Sequence, residues 1–159
     1  MNAKVASIVY KPEGGDPGPE DRYLRSPLRS AELVVGYGIE GDCKGGHPKR
    51  NLNIMSQEML DALQAEGFHT RPGEMGEQVV LRGLDVGVLV AGDCLRIGDQ
   101  ACVEVIDQRT GCRRFERIQG RSADAAAGRM GVMAKVVAGG SIRVGDPVGL
   151  LPEPGQPNL

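Results

Sequence analysis

Ala91-Gly92-Asp93-Cys94-Leu95-Arg96-Ile97-Gly98-Asp99 is echoed near the end of the chain by Gly139-Gly140-Ser141-Ile142-Arg143-Val144-Gly145-Asp146. Each copy sets a turn, a short run in which apolar and polar residues alternate, and a closing Gly-Asp step. Alternation with a period of two puts one set of side chains on a buried face and the other in solvent. Glycine supplies the positive φ that tight connections between such strands demand. The echo therefore reads as recurring hairpin chemistry in a β-rich shell, not as a duplicated domain.

The same pattern recurs on both sides. Residues 4–10, 33–35, 78–81, 94–97, 101–106, 132–137 and 148–151 all read as strands. The clearest helix is 57–66, with Ser56 as N-cap, Met55 able to staple against Leu60, and Gly67 closing the end. Met59, Leu60 and Leu63 form its buried stripe. A shorter helix is expected over 112–119, ended by Gly120. Residues 11–30, rich in proline and glycine and carrying Arg22, Arg25 and Arg29, read as a long loop of the kind that often binds ligands. Residues 1–151 are expected to form one domain, and 152–159, with three prolines, a disordered tail.

Composition agrees. A chain of 159 residues is the size of one ordinary domain. With three tyrosines, two phenylalanines and no tryptophan, its core must be built from aliphatic residues and Met. The 24 glycines and 10 prolines are too many for a helix bundle. A net charge of −2 argues against a general nucleic-acid binder. No apolar run is long enough for a membrane-spanning helix and the start lacks an apolar leader, so a cytoplasmic protein is expected. Its four cysteines, Cys43, Cys94, Cys102 and Cys112, show no CxxC pairing, and free thiols are expected in a reducing compartment.

Three segments can carry chemistry. Cys112 follows Arg109-Thr110-Gly111 and precedes Arg113-Arg114 at the start of the second helix. With Thr110 as N-cap, Cys112 falls at the second helical position, where free N–H groups, the helix dipole and nearby guanidinium groups favour an anion. It reads either as a reactive thiolate or soft-metal ligand, or as a cysteine packed at a strand–helix junction. Cys94 and Cys102 lie inside strand patterns and read as small hydrophobes, so replacing either by Ser is expected to cost about 1–3 kcal/mol. Cys43 sits in a polar loop beside Lys44. The spacing of these cysteines with His47 and His69 does not suit zinc, and none is expected.

The second segment is Gly36-Tyr37-Gly38-Ile39-Glu40-Gly41-Asp42, followed by Lys44, His47, Lys49 and Arg50. It reads as an anion-binding nest of backbone N–H groups with cations alongside, or as a plain glycine turn. Its spacing fits neither a Walker loop nor a dinucleotide fingerprint. The third, Pro72-Gly73-Glu74-Met75-Gly76-Glu77-Gln78, either orients a ligand or caps a turn.

In order, these segments resemble the MOSC domain, named for the C-terminal part of molybdenum-cofactor sulfurases. The family's Gly-x-x-Gly-Asp matches Gly38 to Asp42, and its basic or polar step into a strand and helix matches Arg50 to Glu58. Its Pro-Gly-x-x-Gly-Glu-Asn matches Pro72 to Gln78, and its cysteine matches Cys112. Its closing Ala-Lys-Val-x-x-Gly-Gly-x-Ile-x-x-Gly-Asp matches Ala134 to Asp146. The resemblance covers about residues 33–150. It implies a mainly β fold, a MOSC-type β-barrel related to that of pyruvate kinase, with a few short helices. It also implies a link to sulfur and the molybdenum cofactor (molybdopterin), with Cys112 as persulfide carrier or molybdenum ligand. Gly38, Gly41, Asp42, Lys44, His47, Arg50, Glu77 and Arg113 become the expected cofactor-binding residues. The departures bear on specificity: Lys44 stands where many members have His, Gly111 where Pro often precedes the cysteine, and Gln78 in the Asn position.

The chain has no room for the large pyridoxal-phosphate domain of full-length sulfurases, so no pyridoxal phosphate is expected. Three functions follow from the resemblance. One is a sulfur carrier or sulfurtransferase-like protein served by a cysteine desulfurase. Another is a molybdenum-dependent reductase of N-hydroxylated compounds, fed by an electron-transfer protein. The third is a non-enzymatic module that binds the cofactor or an oxyanion.

Overall fold

The computed structural model describes residues 2–13, 25–48 and 50–152. Eleven strands run through these residues: β1 (Lys4–Tyr10), β2 (Ser26–Leu28), β3 (Ser30–Val34), β4 (Gly38–Ile39), β5 (Leu52–Ser56), β6 (Val79–Arg82), β7 (Cys94–Ile97), β8 (Ala101–Gln108), β9 (Val132–Ala138), β10 (Gly140–Arg143) and β11 (Val148–Leu150). Two helices join them, α1 (Gln57–Ala65) and α2 (Arg113–Gln119). Short 3-10 turns lie at Val86–Val88 and Ala123–Ala126.

Alternation decides which way the walls face. On β7 and β8, Leu95, Ile97, Ala101, Val103 and Val105 are buried, while the residues between them turn outward. Inside, they meet Ile8, Leu33, Ile39, Leu52, Ile54, Val79, Leu81 and Val132 in one aliphatic core. Eight strands pair in the order β11-β7-β8-β9-β5-β6-β1-β2, and β10-β3-β4 form a second small sheet. The ladder is not continuous round the circle. Its gap, between the start of β1 and the segment entering β11, is bridged by backbone bonds: Val5 to Asp146 O (2.9 Å), Gly145 to Val5 O (2.8 Å) and Val148 to Ala3 O (2.9 Å). With that seam closed, the fold is the mainly β barrel the sequence implied.

Two details differ from the sequence reading. The first copy of the echo is a hairpin, β7 with β8, but the second is not: β10 pairs with β3 and β11 with β7. Asp146 redirects the chain there, its Oδ2 accepting the Arg143 N–H (2.8 Å) while its carbonyl joins the seam. The end of the expected 11–30 loop is also strand. Pro27 is tolerated because β2 is an edge, paired only with β1, where a missing N–H costs nothing. Residues 14–24, with Arg22, and the expected tail at 153–159 lie outside the described residues.

Strands β5 and β6 are parallel, so the chain must cross over between them, and it does so through α1. Ser56 caps α1 by accepting the Met59 N–H (3.3 Å). Leu60 and Leu63 are buried against Met55, Phe68, Met75, Val80, Phe115 and Met130. This second cluster lies on the far side of β5 and β6 from the barrel interior and seats both helices. No helix is long and apolar enough to cross a membrane.

Cys94 and Cys102 belong to the outward set and are only half-buried, which revises the cost expected of their loss. Their Ser variants should lose less than about 1 kcal/mol, because water can satisfy the new hydroxyl; urea denaturation midpoints would show it. Burial, then the Glu104 carboxylate, pushes the Cys94 thiol up, keeping it protonated.

Candidate functional site

Where β5 emerges from under the second cluster, four segments meet around a cleft of about 230 Å³. Arg25 comes from the approach to β2, Lys44, Arg50, Asn51, Leu52 and Asn53 from the glycine-rich segment and β5, Gly76 and Gln78 from the crossover loop, and Arg109, Thr110, Cys112 and Arg114 from the β8–α2 junction. Five of these side chains are cationic and none is a carboxylate. Burial, then the Arg25 guanidinium, pushes the Lys44 ammonium down, with Lys11 and Arg114 adding to the effect. Cations crowded in this way make the cleft electropositive, and such a cleft attracts anions.

Cys112 is exposed at this cleft. It is the N-cap of α2 rather than its second residue: its backbone is extended (φ −131°, ψ 174°) and its carbonyl accepts the Glu116 N–H (3.0 Å). Its side chain makes no capping bond. One residue earlier, Gly111 is pressed on the Ala123–Ala126 turn: a Cβ there would lie 2.3 Å from Ala123 Cβ. Glu116 holds that turn in place by accepting the Ala123 N–H (2.7 Å).

Behind the wall, the separate motifs are tied together. Asp42 is fully buried; its Oδ1 accepts the N–H groups of Lys11 (3.2 Å) and Lys44 (3.1 Å). Gln78 links it to β5, donating from Nε2 to Asp42 Oδ2 (3.3 Å) and accepting the Asn53 N–H at Oε1 (2.7 Å). Gly38 is required at its place, because it has φ +119° and a Cβ would lie 2.6 Å from Asn51 O. Gly41, at φ +83°, turns the chain into Asp42.

Glu77 is also fully buried, accepting the N–H groups of Gly73 (2.8 Å) and Met75 (3.2 Å). Arg109 grips the same loop by donating to Met75 O. Burial pushes the Glu77 carboxyl up, against the opposing pull of those amides and of Arg109. An acid raised by folding binds its proton more tightly in the native state. Its contribution to stability is therefore full below the unfolded value of about 4.3 and is lost as pH rises through the native one. Across that window the wild type should lose stability relative to Glu77→Gln in a series of urea denaturation curves. Parallel dependence of the two proteins on pH would contradict the assignment.

Of the residues expected from sequence, Lys44, Arg50 and Cys112 line the cleft together. Gly38, Gly41, Asp42 and Glu77 shape the loops behind it. His47 is exposed and contributes its carbonyl, which accepts from Asn51 Nδ2 (3.2 Å) and the Arg50 N–H (3.2 Å). Arg113 is exposed and outside the lining, where its neighbour Arg114 takes the place. Lys49 lies outside the described residues. Sequence reasoning did not single out Asn51 or Asn53, and named Arg109 and Arg114 only as guanidinium groups near Cys112. The first two had a signal: in Asn51-Leu52-Asn53-Ile54 the amides alternate with core residues and so share the face opposite them. Among the described residues no three His, Cys, Asp or Glu side chains gather as a metal site.

A metal–pterin carrying a phosphate is anionic with a soft metal end. Five cations and an exposed thiol fit it, although about 230 Å³ encloses one end rather than the whole, the usual range being roughly 300–1,000 Å³.

No curated protein matches the chain closely enough to count as a relative. Among solved structures, the YuaD protein of Bacillus subtilis superposes with a TM-score of 0.73 at 18% identity, covering 93% of this chain and 94% of that one. YiiM of Geobacillus stearothermophilus gives 0.71 at 19% identity, covering 94% and 75%. YiiM of Escherichia coli gives 0.67 at 22%, covering 96% and 72%. These likenesses concern the fold. The family model of the MOSC domain matches residues 42–149, a span that runs from the buried Asp42 past Cys112 to the strand at the seam, and the chain belongs to the MOSC domain family.

Proposed function

We propose that the cleft holds an anionic metal–pterin group of the molybdenum-cofactor class, with Cys112 Sγ at its metal end. The observation that carries this reading is the lining itself: among its described residues, five cations, one exposed thiol and no carboxylate. Arg25, Lys44, Arg50, Arg109 and Arg114 would hold the phosphate and orient the group. Cys112, exposed and free of any capping bond, offers a soft sulfur ligand. When bound, the cofactor supplies oxygen-atom and two-electron chemistry, and an N-hydroxylated compound with an electron-transfer protein is the substrate pair to try.

The exposure of Cys112 favours one second reading, carriage of a sulfane sulfur. A carrier thiol must be reached by its donor, here a cysteine desulfurase, and Cys112 can be reached. Molybdenum and pterin content per chain, after expression in a host that makes the cofactor, separates the two. Near-stoichiometric metal is the expected result. A metal-free protein whose Cys112 accepts a persulfide would replace the first reading by the second.

A further inference from the structure

Asn51, just before β5, and Asn53, on it, stand two residues apart, and both line the cleft. The carboxamide of Asn51 is fully used: Oδ1 accepts the Val136 N–H (2.9 Å) and Nδ2 donates to His47 O (3.2 Å). Asn53 differs. Its Nδ2 donates to Gly76 O (3.1 Å), but its Oδ1 has no hydrogen-bond partner, although the residue is only 9% exposed. Rotating the amide does not cure this, because it would set Oδ1 against the Gly76 carbonyl, acceptor to acceptor. The network from Asp42 through Gln78 to the Asn53 N–H fixes the backbone behind it.

A buried acceptor without a donor is costly and marks a group that something else is meant to satisfy. The cations of the cleft serve anions, which are acceptors. A bare oxyanion therefore answers the arginines and leaves Asn53 unanswered. We infer that the cleft's ligand is an anion that also carries an N–H donor, and that Asn53 Oδ1 is the specificity residue that accepts it. The inference rests on the anionic-cleft reading above and narrows its ligand class to N–H-bearing anions.

Sulfamate and methanesulfonate test it, since they share charge and shape and differ in having N–H or C–H beside the sulfonate. Titration calorimetry of the full chain should find sulfamate bound more tightly by roughly fivefold, the value of one neutral hydrogen bond. Asn53→Leu should erase that preference, read as the ratio of the two affinities in the same protein. Equal affinities in the wild type would overturn the inference, as would a preference that survives Asn53→Leu. The wild-type comparison decides alone should the variant fail to fold. Failure of both anions to bind the wild type would overturn the anionic-cleft reading itself, and this inference with it.

Discussion

Cys112→Ser should lower molybdenum content to background while leaving the protein as stable as the wild type, or slightly more so. The two effects have different origins. Serine oxygen is a hard, protonated donor at neutral pH and a poor substitute for thiolate at a soft metal. For the helix, however, the replacement is favourable. Cys112 is the N-cap of α2 and makes no side-chain cap, and serine is among the preferred residues there, worth up to about 1 kcal/mol. Exposure of the side chain means that no cavity is opened. A joint measurement of metal content and urea midpoint therefore distinguishes a lost ligand from a damaged fold. Cys43→Ser, also exposed and outside the cleft lining, is the control and should load normally. Full loading of Cys112→Ser together with loss in Cys43→Ser would place the functional thiol elsewhere.

Gly131→Ala is expected to be the most damaging small change in the protein. Gly131 has φ +83°, and a Cβ there would stand 2.1 Å from Ile54 O and 2.7 Å from Met55 Cγ. The obstacle is the backbone of β5, which is paired with β9 through Ile54 and Val132, so it cannot simply step aside. Left-handed backbone costs an alanine about 1–2 kcal/mol, and overpacking adds about 1–3 kcal/mol. A total of about 2–5 kcal/mol is a large share of a domain's usual stability. Gly120→Ala isolates the first part, because Gly120 has φ +68° with nothing within 4 Å. Equal urea midpoints for the two variants would show that β5 yields more easily than its pairing implies.

How far the sequence disclosed this molecule depended on whether a feature was local. The alternation of β7 and β8 and the Ser56 cap of α1 involve residues a few places apart, and both were legible. Strand β5 was weaker as a pattern, since all five of its residues are buried and Asn53 breaks the apolar run. The second Gly-Asp step looked like a hairpin because its turn is local, while its partners, β3 on one side and β7 on the other, are remote. At the site, Cys112, Lys44 and Arg50 could be named from their segments. Arg114 instead of Arg113 could not, because one residue's difference around a helix decides which side chain meets the cleft, and the N-cap of α2 is Cys112 rather than Thr110.

The parallel pairing of β5 with β6 has a consequence for how this barrel can change. Every described lining residue of the cleft falls within four short windows, at 25, 44–53, 76–78 and 109–114. All four border the crossover or the strand it starts from. The opposite hemisphere, built from β7, β11 and most of β8, contributes none of the described lining residues. Insertions and grafted epitopes at the open Gly92 turn, or new charges along β11, would therefore be silent to the cleft, so that half of the molecule can be re-engineered as a handle while the chemistry is left alone.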